Sequence, residues 1–310
     1  MALQLFRYQY GANTLYRSYT DALGVKPEGV QELSGIPFLP ISFFKSHEVK
    51  STDRPFEEAA LVFESSGTTG SINSRHALYR PDVYKVSLLE GFRAFYGDPA
   101  SYAILALLPS YLERKNASLV YMAQNLMDEG NHPDSGFFLN DWNELARRLK
   151  KMEQAGQKTL LLGVTFALLD AADAIPMKLK HTLVMETGGM KGRREEWTRL
   201  QVHEFLKARW SLKHVHSEYG MTELLSQAYA PSDGLFRCAS TMKVLIRDIN
   251  DPLDVRASGQ GCINVIDLAN IDSCSFIGTE DIGRLREDGS FEVLGRIDHA
   301  ALRGCSLMAV

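Results

Sequence analysis

The sequence lacks most of the features that assign a protein at a glance. Its 310 residues carry a formal net charge of −4 and an isoelectric point near 6.1. There is thus no basic or acidic excess pointing to a nucleic-acid or membrane-surface partner. No apolar run approaches the roughly 20 residues of a membrane span. The longest, Leu160–Leu169, is interrupted by Gly163 and Thr165 and closed by Asp170. The N-terminus, Met1-Ala2-Leu3-Gln4-Leu5-Phe6-Arg7-Tyr8, has no basic stretch followed by an apolar core, which argues against a secretory signal and for a cytoplasmic protein. Cysteine is scarce. Cys238, Cys262, Cys274 and Cys305 form no C-x-x-C pair and have no histidine at ligand spacing, so neither a disulfide framework nor a zinc site is expected. Repeats and low-complexity tracts are missing as well.

What is present is an ordinary globular composition, 45% hydrophobic and 23% charged, long enough for one large or two modest domains. After a helical start from Leu3, Ile36-Pro37-Phe38-Leu39-Pro40 reads as an ordered extended connector, because each proline biases its predecessor away from helix. Strand-like and helix-like segments then alternate. Strands are expected at Ala59–Glu64, Tyr102–Leu108, Thr159–Gly163, His181–Glu186 and His214–Tyr219. Helices are expected at Asp82–Tyr96, Asn116–Glu129, Asp141–Gln154, after Gly163 and at Glu195–Arg209, with Asn116 and Asp141 as caps. From Thr241 the pattern becomes β-rich, with strands at Thr241–Arg247, Cys262–Asp267 and Ser290–Gly295 and turns at Asn250-Asp251-Pro252 and Asp288-Gly289. The fold class read from this order is α/β: a partly parallel sheet with crossover helices in residues 1–234, closed by a β-rich subdomain in residues 235–310.

Chemistry concentrates first in Ser65-Ser66-Gly67-Thr68-Thr69-Gly70. Two glycines free the backbone, and four hydroxyls with several N–H groups can converge on phosphate oxygens. The spacing is not that of G-x-x-x-x-G-K-[ST], which disfavours an ordinary P-loop. A flexible Ser/Thr/Gly turn is the alternative that composition alone allows.

The order S-S-G-T-T-G resembles the phosphate loop of the adenylate-forming ligases, and further segments resemble that superfamily's other motifs in the same order. His216-Ser217-Glu218-Tyr219-Gly220-Met221-Thr222-Glu223 matches Y-G-x-T-E. The resemblance implies that Tyr219 stacks on adenine, Thr222 bonds the α-phosphate, and Glu223 holds Mg²⁺. Upstream, Glu186-Thr187-Gly188-Gly189-Met190 matches a small-residue segment along the adenine. Gly278-Thr279-Glu280-Asp281-Ile282-Gly283-Arg284 resembles T-G-D-x-G-R with Glu280 in place of the usual glycine, and Asp281 would bind ribose hydroxyls. Leu294-Gly295-Arg296-Ile297-Asp298 matches the G-R-x-D hinge, which puts Arg296 near ribose or phosphate. In many members a lysine follows the phosphate loop; here the nearest cation is Arg75.

Full-length members continue from the hinge into a mobile domain with a catalytic lysine, whereas this sequence ends soon after Asp298. The branch it resembles is the LuxE-type acyl-protein synthetases, through Ile36–Ser46, Leu107–Arg114, Ser118–Met122 and Arg303-Gly304-Cys305-Ser306-Leu307. That resemblance implies ATP-dependent activation of a fatty acid as acyl-AMP and transfer to Cys305. An acyl-CoA-reductase-type protein, an acyltransferase or an acyl carrier protein would be the partner. The acid pocket is expected to draw on Leu107–Tyr121 and Thr187–Thr222. A phenylacetate-CoA-ligase-like enzyme lacking its C-terminal domain, or a non-catalytic adenylate-binding scaffold, are the competing expectations.

Overall fold

The computed structural model describes residues 1–65, 72–109, 116–139, 141–188 and 197–297. Two helices come first, α1 (Ala2–Ala12) and α2 (Thr14–Ala22), followed by β1 (Leu39–Pro40), α3 (Phe43–Ser46) and the strands β2 (Leu61–Glu64) and β3 (Arg75–Leu78). The α/β stretch runs α4 (Pro81–Tyr96), β4 (Ala103–Leu107), α5 (Ser118–Gly130), β5 (Gly136–Phe138), α6 (Trp142–Ala155), β6 (Thr159–Val164), α7 (Thr165–Ala174), β7 (Thr182–Thr187), α8 (Arg199–Trp210) and β8 (His216–Tyr219). Then come β9 (Ala228–Ala230), β10 (Arg237–Cys238), β11 (Met242–Arg247), β12 (Val255–Arg256), β13 (Gly259–Asp267), β14 (Phe276–Leu285) and β15 (Phe291–Arg296).

A seven-stranded sheet has the order β10-β9-β8-β7-β6-β4-β5, parallel from β5 through β8 and antiparallel at β9 and β10. Its central strands are buried along their whole length, Ala103–Leu107 and Thr159–Val164 alike. Helices on both faces demand this, so these strands read as unbroken apolar runs instead of alternating ones. The largest hydrophobic core fills this layer and includes Leu88, Phe92, Leu161, Leu168 and Trp210.

The second sheet has the order β1-β14-β13-β11-β12, with β15 also on β14. β1 and β15 share one edge of β14: β1 pairs in parallel at Ile277 and Gly278, and β15 takes Asp281–Leu285. The expected connector around Pro40 is therefore an edge strand, where proline's missing N–H costs no ladder bond. Helices α1 and α2 pack beneath this sheet, with Tyr16 stacked on Phe276 and Phe6 edge-on to both rings.

Two helix starts differ from expectation. Asn116 does not cap α5, which begins at Ser118 after Ala117. Helix α8 begins at Arg199, later than the expected Glu195, because Thr198 and Gln201 form a capping box there. Asp141 caps α6 as expected, accepting from the Glu144 N–H at 3.0 Å. Strand β14 escaped the pattern reading because Gly278, Thr279, Glu280, Asp281 and Gly283 break any apolar alternation.

Leu161 is fully buried at the middle of β6. Leu161→Ala is expected to destabilise the fold by about 2 to 5 kcal/mol through lost contact and a residual cavity. The check is a lower denaturant midpoint with an unchanged slope.

Candidate active site

Hairpin β2–β3 carries the hydroxyl-rich loop, and its ladder pairs Glu64 with Arg75. Ser65 and Ser74 extend that ladder at the mouth of the loop. The Ser65 N–H donates to the Ser74 carbonyl at 3.0 Å, and the Ser74 N–H donates to Ser65 Oγ at 2.8 Å. Ser66, Gly67, Thr68, Thr69 and Gly70 lie outside the described residues, as do Gly189, Asp298 and Cys305. Arg75, the nearest following cation, lies over the Phe56 ring, 4.5 Å from its centroid.

The segment after β8 meets this loop mouth. Glu223 is buried, and its carboxylate accepts a hydrogen bond from the Ser74 side chain. Burial pushes its pKa above the ordinary glutamate value, opposed by Ser74, its own N–H and the charges of Arg296 and Lys45. The main chain is held from behind. His76 Nδ1–H donates to the Thr222 carbonyl at 2.8 Å, and Asn270 Nδ2 donates to the Glu223 carbonyl at 2.7 Å. His76 Nε2 lies 2.9 Å from Asn270 Oδ1, and full burial takes the His76 pKa down to about 4. His76, Ser74, Asn270 and Lys45 were not among the residues singled out from the sequence. Only the loop flanks of the motifs could have flagged Ser74, and nothing local marks Asn270.

Tyr219, Asp281 and Arg296 form a connected unit. Asp281 and Arg296 stand opposite each other across the β14–β15 ladder, which is how two separate sequence motifs come together. Arg296 Nε donates to Asp281 Oδ1 at 3.0 Å, and the Tyr219 hydroxyl donates to Oδ2 at 2.8 Å. Since a carboxylate has about four lone-pair sites, Asp281 keeps room for further donors. The Tyr219 ring is buried, edge-on to Phe236 and Phe291. Gly188 takes a left-handed φ of 72°, and its carbonyl accepts from Thr165 Oγ1 at 3.0 Å. Gly220 leaves room for the Glu218 carboxylate: a Cβ there would meet Glu218 Oε1 and push it aside.

Two buried glutamates on adjacent strands meet opposite fates. Glu186 accepts from Ser217 Oγ at 2.7 Å, Thr165 Oγ1 at 3.1 Å and Arg199 Nε at 3.2 Å. The His203 side chain, the Arg199 charge and the Ser217 hydroxyl bring its pKa below the usual value despite burial. Glu218 accepts from Thr187 Oγ1, and burial raises its pKa to about 7. Among the described residues no ion pair reaches Glu218. The thiols of Cys238 and Cys274 are pushed up to about 12 by burial, so neither is a thiolate at neutral pH.

No protein-family model matches the sequence, and no curated protein matches it. Solved structures do. The 2-hydroxyisobutyryl-CoA ligase in complex with 2-HIB-AMP and CoA superposes with a TM-score of 0.70 at 14% identity, over 96% of this chain and 67% of that one. ATP-bound MatB from Rhodopseudomonas palustris gives 0.59 at 18% identity, over 79% of this chain and 50% of that one. The long-chain-fatty-acid-CoA ligase FadD1 of Archaeoglobus fulgidus gives 0.56 at 15%, over 82% and 54%. At these identities the likeness is one of fold: the chain has the α/β fold of the adenylate-forming ligases, with its β-rich part. It spans about half the length of the MatB structure it matches. No helix among the described residues is long and apolar enough to cross a membrane.

Glu218 supports a prediction on stability. Its pKa is near 7 folded and 4.5 otherwise, so the native state binds a proton that the unfolded state does not between those values. Its contribution to stability is present in full below pH 4.5 and is lost as pH rises through 7. Glu218→Gln removes the dependence. The variant's melting temperature relative to wild type is expected to climb from pH 4.5 to pH 8, measured by thermal unfolding across that range.

Proposed function

We propose that the chain activates a carboxylic acid by adenylation, using ATP. The observation that carries the reading is the convergence of Ser65–Ser74, Thr222–Glu223 and Tyr219–Asp281–Arg296 on an adenylate-forming ligase fold. In this reading Ser65–Gly70 cradles the β- and γ-phosphates, Thr222 meets the α-phosphate, and Asp281 with Arg296 holds the ribose. Tyr219, Gly188 and Gly189 border the adenine. A substrate carboxylate oxygen attacks the α-phosphorus, the bond to pyrophosphate breaks, and an acyl-AMP mixed anhydride forms. The carboxylate needs no general base, so the protein's contribution is position and charge.

The donor set fits Mg²⁺. Glu223 offers a hard carboxylate oxygen beside the Ser74 hydroxyl at the loop mouth. That combination suits an ion held by one carboxylate together with substrate phosphates. When bound, it would neutralise charge on the phosphate oxygens. A residue range of 1–234 for the adenylation core, with 235–310 closing on it, and a cytoplasmic setting belong to the same reading.

For the second half, we infer transfer of the acyl group to a thiol: a thiolate attacks the acyl carbon and AMP leaves. The raised thiol pKa values of Cys238, Cys262 and Cys274 argue against those three. Cys305 is the candidate acceptor within the chain, in keeping with the LuxE-type resemblance. That resemblance also favours a fatty acid and an acyl-CoA-reductase-type, acyltransferase or carrier-protein partner. CoA is the alternative acceptor, favoured by neighbours named as CoA ligases.

Acid-dependent exchange of pyrophosphate into ATP is expected, and Glu223→Gln should lower it about 100-fold, the size of losing one preorganised contact to transition-state charge. Absence of exchange across a broad acid panel, with folded protein, would sink the reading. With radiolabelled acid and ATP, label should stay on the wild-type protein and disappear in Cys305→Ala. Label retained in that variant removes Cys305 from the scheme.

A further inference from the structure

Ligands of open α/β sheets bind beyond the carboxyl ends of the parallel strands. In this chain β7 and β8 end side by side at Thr187 and Tyr219. One row of side chains crosses the sheet at that level: Thr187 stands opposite Glu218, and Glu218 stands opposite Tyr229 on β9. Directly opposed residues share a face, so all three project toward helix α4. Phe95 and Tyr96 of α4 pack on the Tyr229 ring, and Tyr96 also meets His216 edge-on.

This row is polar, buried and unfinished. Tyr229 is 1% exposed, yet its hydroxyl has no hydrogen-bond partner among the described residues. Gln227 Oε1 is likewise buried without a partner among the described residues, while its Nε2 donates to the Tyr84 hydroxyl at 3.4 Å. Glu218 Oε2 is occupied by Thr187, and Oε1 lies against Gly220, in the space a side chain at that position would need. The charged neighbour on the next strand, Glu186, is of the same sign and already has Arg199. The groups around Glu218 are therefore acceptors and tyrosine hydroxyls, with Tyr84, Tyr96, His216 and Tyr229 the titratable ones. A plain methylene placed there would satisfy none of them, and buried polar groups demand partners.

We propose that Glu218, with the Tyr229 hydroxyl, is the specificity-determining site for a hydrogen-bond-donating substituent on the acid, a hydroxyl or an ammonium group. The proposal rests on the adenylation reading and deepens it. Gly220 is the hinge of the arrangement: it lies between Glu218 and Thr222, so one short segment presents the acid's substituent to Glu218 and its carboxylate toward the phosphate side. A site built around such a donor rejects analogues lacking it far more strongly than an apolar pocket rejects an extra group.

The test is pyrophosphate exchange with the full chain on three acid series of matched chain length: alkyl, hydroxyl-bearing and amino-bearing. The wild type is expected to favour one donor-bearing series by at least about 100-fold in kcat/KM. The better of the two identifies the substituent. Glu218→Gln should remove most of that preference, acting on KM more than on kcat, and should cost an ammonium substrate more than a hydroxyl one. Tyr229→Phe, which keeps the ring packing, should weaken the preference independently if Glu218→Gln folds poorly. Alkyl acids used as well as the donor-bearing ones, or a preference unmoved in both variants, overturns this inference while leaving adenylation intact. Failure of exchange with every acid overturns both.

Discussion

The clamp of His76 and Asn270 on the Thr222–Glu223 main chain is the contact on which the candidate site depends. His76 comes from the β2–β3 hairpin, the 222–223 segment follows β8 of the large sheet, and Asn270 follows β13 of the second sheet. Three ladders thus meet in two hydrogen bonds to consecutive carbonyls. The bond to Glu223 is buried and the one to Thr222 partly so; an unmade partner in a buried position costs about 1 to 3 kcal/mol. The clamp leaves the Glu223 side chain turned to Ser74 at the loop mouth, so fixing the backbone also aims the carboxylate.

Adjacent positions on β7 and β8 show how one sheet gives two carboxylates different chemistry. Glu186 and Ser217 share the face toward α8, where the His203 side chain, the Arg199 charge and the Ser217 hydroxyl keep the carboxylate charged. Arg199 also reaches the Val293 carbonyl and lies over the Phe236 ring, so the same guanidinium ties the sheet to β15. One residue further, Glu218 and Thr187 face α4 and tyrosine rings, with no cation among the described residues to hold the charge. The period-2 alternation of a strand is sufficient to separate the two environments.

Much of this was legible from residues alone. The central strands announce themselves as apolar runs, and the α/β alternation up to Tyr219 followed by β-rich sequence corresponds to the two sheets observed. Motif order made Ser65, Glu223, Asp281 and Arg296 candidates, and the ladder of β14 with β15 supplies the physical link between the last two. Partners distant in sequence were not legible. His76 is a lone histidine in a strand, Asn270 sits in a turn, and the unfinished row at Tyr229 becomes visible only when strand register is known. At the start of α5 the capping signal in the sequence, Asn116, stands one residue before the actual N-cap, Ala117, whose side chain carries none.

The edge of β14 has one further consequence. Leu39 and Pro40 pair with Ile277 and Gly278, and Tyr16 stacks on Phe276, so α1, α2 and β1 rest on a strand far later in the sequence. Such non-local pairing must meet its loop-closure entropy before any contact rewards it. As the chain is synthesised, α1 and α2 have no sheet to lie on until β14 exists.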